Sequence, residues 1–154
     1  YITYKKGCIK MEDRQKLEKM VAELNQLQQQ GEAIAKQLEQ LNMSLADIRS
    51  ATDALKGIEG KVGEEVLLPI GAGCFIDAEI KSDDVILGVG ADVAIKKSAQ
   101  ETIETLTKET KDVESLIKSL TEQLTKINEV IAKQRPEAER LMQQAEMQQQ
   151  QMQQ

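Results

Sequence analysis

The chain has 154 residues, a length typical of one domain, with a formal net charge of −6 and a pI near 4.9. This acidity disfavours nucleic acid and anionic membranes as partners, because both bind clustered cations. Only Tyr1, Tyr4 and Phe75 are aromatic, so a compact globular core is not expected.

Residues 1–10 precede the first helical pattern, and we expect them to be a variable leader or foreign sequence without a function. Residues 11–57 are predicted as a first coiled-coil arm, because apolar side chains recur at alternating steps of three and four. Gly31 interrupts this pattern. A packing fault or close helix approach is the expected reason, and a hinge is the alternative. The apolar positions of this arm are Leu17, Met20, Leu24, Leu27, Ile34, Leu38, Leu41, Leu45, Ile48 and Leu55.

Residues 58–97 are predicted as an assembly insert, since apolar residues now alternate every second position. Glycine- and aspartate-containing turns divide the insert into four strands, which form two β-hairpins. Leu67, Phe75 and Ile86 lie on the strand face opposite the main alternating series, so both faces of the strands carry apolar side chains. The strand-forming stretch within the insert, residues 62–96, has only about 35 residues. Domains below about 40 residues rarely bury two such faces alone, so we expect the insert to join other chains. The predicted assembly residues are Val66, Leu68, Ile70, Phe75, Ile76, Ile80, Val85, Leu87 and Val89.

Residues 98–136 are predicted as a second coiled-coil arm. Ser98 and Glu101 form a capping box at its start, and the heptad pattern returns behind them. Pro136 predicts a kink or restart near Arg135, followed by a frayed helix. Because the two arms have similar lengths and are joined at one end, we expect an antiparallel coiled-coil hairpin.

Residues 137–154 are rich in glutamine and methionine, and they are predicted to lie at the tip of this hairpin, where both chain ends meet. Methionine adapts to varied apolar partners, so the tip is a candidate binding surface; a frayed low-complexity tail is the alternative. The candidate tip residues are Val21, Leu24, Leu141, Met142, Met147 and Met152.

The sequence lacks the residues that most enzymes need. There is no histidine, and Gly71 and Gly73 are too closely spaced for a phosphate-binding loop, so we expect no catalytic residue, metal site or cofactor. Cys8 and Cys74 lie in different segments, which disfavours a disulfide, and Cys74 is expected to be a buried small apolar residue. No bilayer-spanning run or secretory segment is evident, and we expect a reducing cytoplasmic location.

Two stretches of the insert carry a family resemblance. VLLPIGAGCFIDAEI and DVILGVGADVAIKKS contain Leu-Pro, Gly-Ala-Gly and Val-Gly-Ala elements, and with the two arms they resemble the alpha-class subunits of prefoldin. The resemblance covers roughly Met11 to Ala145. It implies an α+β, mainly α fold, in which a long antiparallel coiled-coil hairpin carries two central β-hairpins that join an intersubunit β-barrel.

The resemblance also implies a function. Two alpha-class chains would assemble with four beta-class prefoldin subunits into an ATP-independent chaperone, whose coiled-coil tips hold unfolded polypeptide and pass it to a group II chaperonin. The alternative is a structural coiled-coil protein or a filament-forming prefoldin relative.

Overall fold

The structure is a computed structural model that describes residues 11–90 and 93–151, with side-chain burial for residues 14–90 and 93–147. Two long helices flank two antiparallel β-hairpins, which confirms the fold class. The residues form two compact units: a central unit, Gln40–Ile117, and a terminal unit containing the described residues up to Glu39 and from Lys118 onward. The elements are α1 (Met11–Ile58), β1 (Glu65–Gly71), β2 (Cys74–Glu79), β3 (Asp84–Gly90), β4 (Val93–Ser98) and α2 (Ala99–Gln151).

The helices of the central unit pack through a small aliphatic core. Ile48 and Leu55 of α1 and Leu106 of α2 are buried together. An ion pair also joins the helices, since Arg49 Nη2 lies 2.6 Å from Glu114 Oε1. Residues early in one helix therefore meet residues late in the other, as in an antiparallel coiled coil.

Threonines occupy several positions of the helix seam in the central unit, and their hydroxyls donate to backbone carbonyls four residues earlier in the chain. Thr52 Oγ1 donates to the carbonyl of Ile48 at 2.8 Å. Thr102 and Thr110 make the same bond to the carbonyls four residues earlier, each at 2.9 Å. None of these three hydroxyls is therefore left without a partner at the seam.

Local signals set the helix ends beside the insert. α1 ends at Ile58, and Gly60 follows at φ 71°, a left-handed conformation that glycine adopts without strain. α2 begins at Ala99, where Ser98 Oγ accepts a hydrogen bond from the Glu101 amide at 3.2 Å. The expected serine cap is thus present.

The two hairpins are separate two-stranded sheets, β1 with β2 and β3 with β4. In the first, Gly71 pairs with Cys74, so Ala72 and Gly73 form a two-residue turn with φ 50° and 76°. Positive φ at both turn residues is the signature of a type I′ turn. Cys74 is exposed beside this turn, so the expectation that it is buried was wrong. A lone ribbon has no second layer to cover it.

The terminal unit also contains antiparallel helices. Lys16 Nζ lies 2.6 Å from Glu137 Oε1, and Gly31 packs near Leu124. α2 continues through Pro136 to Gln151, so the predicted restart was wrong. Ala138 and Leu141 are buried beyond this proline, so the helix continues to pack there although an interior proline costs roughly 3 kcal/mol.

Candidate functional site

Hairpin 1 (β1 and β2) exposes apolar side chains on both of its faces. Leu68 and Ile76 are directly opposite each other in the register, and they are 47% and 48% exposed. On the other face Leu67 is 65% exposed and Phe75 59%. Residues opposite each other in an antiparallel pair share a face, so each face offers neighbouring apolar groups rather than isolated ones.

Hairpin 2 (β3 and β4) is covered on one face only. Val85 packs against the buried core of Ile48, Leu55 and Leu106 and is therefore engaged within its own chain. Ile86, which follows Val85 and so points to the opposite face, is 76% exposed. Hairpin 2 thus rests on the helices through one face and presents the other to solvent.

The strands also have open edges. Each sheet in the described part of the chain contains two strands, so every strand has one side that is not hydrogen-bonded to a neighbouring strand. Open edges pair readily with strands of another chain. Combined with the exposed side chains, they make the insert a candidate assembly surface.

The predicted assembly residues differ in accessibility. Five of the nine are exposed: Leu68, Ile70, Phe75, Ile76 and Val89. Four are partly buried: Val66, Ile80, Val85 and Leu87.

Three further large apolar residues of the four strands are exposed and were missed in the predicted assembly set: Leu67, Ile86 and Val93. The sequence did carry a signal for Leu67 and Ile86, since both are apolar residues on the strand face opposite the main alternating series. Val93 begins β4 beside Gly90 and is 53% exposed. These residues extend the candidate assembly surface.

The second candidate surface lies in the terminal unit, where the predicted tip residues have different environments. Met142 and Met147 are 48% and 58% exposed, whereas Val21 and Leu24 are partly buried. Leu141 is only 9% exposed, so it is packed within the chain and is not accessible as a member of the candidate tip surface. Met152 lies outside the described residues.

An ion pair lies in the same unit as these residues. Lys16 donates to Glu137, and this hydrogen bond together with the lysine charge lowers the pKa of Glu137 below its ordinary value. The charge of Arg140 acts in the same direction. Because the two partners belong to different helices, the pair joins the helices in the terminal unit.

Among residues 11–90 and 93–151, no group of three or more histidine, cysteine, aspartate or glutamate side chains is placed to hold a metal ion. No helix in this part of the chain is long and apolar enough to cross a membrane.

Comparisons with known proteins agree with this architecture. The family model described as Prefoldin subunit matches residues 27–154. The chain is 63% identical over 132 residues to prefoldin subunit alpha of Methanosphaera stadtmanae, an alignment covering 86% of this chain and 96% of the relative. It is 33% identical over 132 residues to prefoldin subunit alpha of Methanobrevibacter smithii, with 85% and 90% covered.

A solved structure shares the fold. A filamentous PFD from Methanocaldococcus jannaschii matches with a TM-score of 0.59 and 19% identity, over 71% of this chain and 93% of that one. The family model spans most of the chain, and both curated relatives are alpha subunits. The chain therefore belongs to the prefoldin family of chaperone subunits, in its alpha class.

Proposed function

We propose that the chain is a subunit of an ATP-independent holdase that binds unfolded polypeptide and passes it to a group II chaperonin in the cytoplasm. In this proposal two alpha-class chains assemble with four beta-class chains through the β-hairpins. The observation that carries the proposal is the pair of two-stranded ribbons whose apolar side chains are exposed. Such ribbons are marginally stable alone, so they favour a role as joints between subunits.

The assembly step follows from the exposed surface. Leu68 and Ile86 belong to different hairpins and are 47% and 76% exposed. Their burial against another chain would stabilise the complex by about 1.5–3 kcal/mol for each fully covered side chain. Aspartate at these positions would place a charge in the contact, and an unpaired buried charge is costly.

The experiment compares Leu68→Asp/Ile86→Asp with Leu116→Asp, a change at a leucine that is 44% exposed on α2. Light scattering with the beta-class partner should show monomers for the hairpin variant and the full complex for the control. Circular dichroism should show that both variants keep their helices. A full-size complex from the hairpin variant would disprove assembly through the insert.

The client-binding step is assigned to the exposed methionines of the terminal unit. Met142 and Met147 offer flexible apolar groups, with the partly buried Val21 and Leu24 as weaker candidates. Leu141 is excluded from this set because it is buried. A single exposed apolar group contributes only about 1–3 kcal/mol, so useful affinity requires several chains acting together.

A matched substitution tests this assignment. Met142→Ser/Met147→Ser should weaken the suppression of client aggregation without nucleotide, while Met43→Ser should not, although Met43 is 64% exposed in the central unit. The assay should use assembled complexes of unchanged size. Equal activity of the two variants, or a requirement for ATP, would contradict the proposal.

Filament formation is the second candidate function. The open strand edges support it, because a head-to-tail contact that does not close on itself propagates into a filament. The fold likeness to a filamentous PFD supports it through architecture alone. Electron microscopy separates the candidates: long filaments of this chain alone favour the second, and discrete particles that need a beta-class chain favour the first.

A further inference from the structure

One face of hairpin 1 combines an apolar zone with an acidic zone. We define this outer face by three register pairs: Pro69 with Phe75, Leu67 with Asp77, and Glu65 with Glu79. All six residues are exposed. The face is therefore apolar towards the turn and carries three carboxylates towards the opposite end of the strands.

The carboxylates of the outer face repel each other. Glu65 and Glu79 are directly opposite in the register, an arrangement that destabilises an antiparallel pair when the charges are alike. Strands β1 and β2 contain no lysine or arginine. Among the described residues no cation lies within ion-pair distance of Glu65, Asp77 or Glu79.

Hairpin 2 differs from hairpin 1 because its charged side chains include an ion pair between its own two strands. Ile86 pairs with Lys96 in the register, as Leu67 pairs with Asp77 in hairpin 1. Lys96 Nζ lies 2.7 Å from Asp84 Oδ2 within the same hairpin. Hairpin 2 thus satisfies this lysine internally, whereas hairpin 1 leaves three carboxylates for an external partner.

We propose that the outer face of hairpin 1 docks a β-strand segment of a different subunit type, with lysine or arginine side chains facing its carboxylates. Apolar side chains of that segment would cover Leu67 and Phe75. This inference rests on the proposed assembly function and specifies the partner's chemistry. A second copy of this chain does not fit, because its hairpin 1 offers carboxylates and its Lys96 is already paired with Asp84. Its Lys97 lies opposite Val85 in the register, on the face of hairpin 2 that packs against the helices. The charges would steer association and exclude self-pairing.

The experiment compares two triple charge reversals of equal size. Glu65→Lys/Asp77→Lys/Glu79→Lys changes the outer face, and Glu104→Lys/Glu109→Lys/Asp112→Lys changes exposed residues of α2 in the same unit. Both variants raise the net charge equally from −6. The probe is the purified beta-class prefoldin subunit of the same organism, and association rates are measured at low and high salt.

The outer-face variant should associate about tenfold more slowly than the parent at low salt, while the α2 variant stays within about twofold. Salt of about 1 M should remove the difference, because screening then acts within about 3 Å. An outer-face rate equal to that of the α2 variant would overturn the inference.

A neutral variant, Glu65→Gln/Asp77→Asn/Glu79→Gln, controls for misfolding of the charge-reversed variant. It removes the repulsion between the carboxylates and keeps the shapes of the side chains. It should also associate more slowly with the beta-class chain and should self-associate more than the parent. A parental association rate for this variant would overturn the inference while leaving the proposed assembly intact. If the parent chain does not bind the beta-class subunit at any salt concentration, the proposed assembly and the inference both fail.

Discussion

Lys16 of α1 and Glu137 of α2 form an ion pair at 2.6 Å that joins the two helices one residue after Pro136. Both side chains remain substantially exposed, at 57% and 40%, so the pair is accessible to solvent and salt. Among the ion pairs of the described residues, two join α1 to α2, and this pair is the one nearer to Pro136. Its contribution therefore reports whether the arms stay together beyond Pro136.

The first prediction concerns pH. The lowered pKa of Glu137 means that its ionised form is favoured in the folded state, so the contribution is complete above the ordinary value of 4.5 and is lost as the pH falls through the lowered pKa. Glu137→Gln should therefore reduce amide-exchange protection near residue 137 at pH 7. The ratio of variant to parent protection should approach one in acid.

Glu139→Gln is the control for this prediction, because Glu139 contacts Arg135 at 3.7 Å within the same helix and does not join the arms. Glu139→Gln should leave protection nearly unchanged at both pH values, since exposed pairs within one helix contribute little. A Glu137→Gln effect that is the same at acidic and neutral pH would contradict the assignment.

The second prediction concerns the buried Gly31. A methyl group at this position would lie 3.5 Å from Leu124 Cδ1 and 3.7 Å from Ile127 Cγ2, which are ordinary van der Waals distances. Gly31→Ala should therefore stabilise the chain by about 1 kcal/mol through helix propensity. Urea unfolding at fixed protein concentration measures this. Gly31→Leu, which overfills the same space, should destabilise the chain; a destabilising alanine would show that the close approach is required.

Much of the fold could be predicted from periodicity because the two patterns differ sharply. The heptad spacing that includes Leu45, Ile48 and Leu55 predicted an apolar helix seam, and these residues are buried. Alternation in the insert predicted the antiparallel hairpins. Ser98 was found from its spacing to Glu101, since a cap depends on neighbours in sequence.

The environment of the candidate site was harder to predict, because it depends on packing across the helices. Proline's local preference predicted a restart at Pro136, but Ala138 and Leu141 are buried beyond it, so tertiary contacts prevail. Likewise, apolar character alone did not separate Val85, which packs on its own helices, from the exposed Ile86. Only the packing of one face on the helices distinguishes the two neighbours.

The third prediction concerns the start of α2. Ser98→Ala removes the hydroxyl that accepts the Glu101 amide at 3.2 Å, and should destabilise the chain by about 1 kcal/mol. Ser98→Asp keeps an acceptor at the positive end of the helix and should retain most of the stability. Thermal unfolding measures both variants. Equal losses for alanine and aspartate would show that the serine acts through packing rather than as a cap.

The last prediction separates two leucines that lie four residues apart on α2. Leu120 is 8% exposed and Leu116 is 44% exposed, although both belong to the same continuous helix. Leu120→Ala should destabilise the chain by about 2–5 kcal/mol, because it removes transferred apolar surface and leaves a cavity between the helices. Leu116→Ala should cost much less, since water already reaches its side chain and no enclosed cavity forms. The free energies of unfolding in urea, taken at one protein concentration, provide the comparison. Similar losses at the two positions would contradict the assignment of Leu120, but not Leu116, to the packed seam between the helices. A small loss at Leu120 alone would instead show that the seam of the terminal unit closes around the cavity.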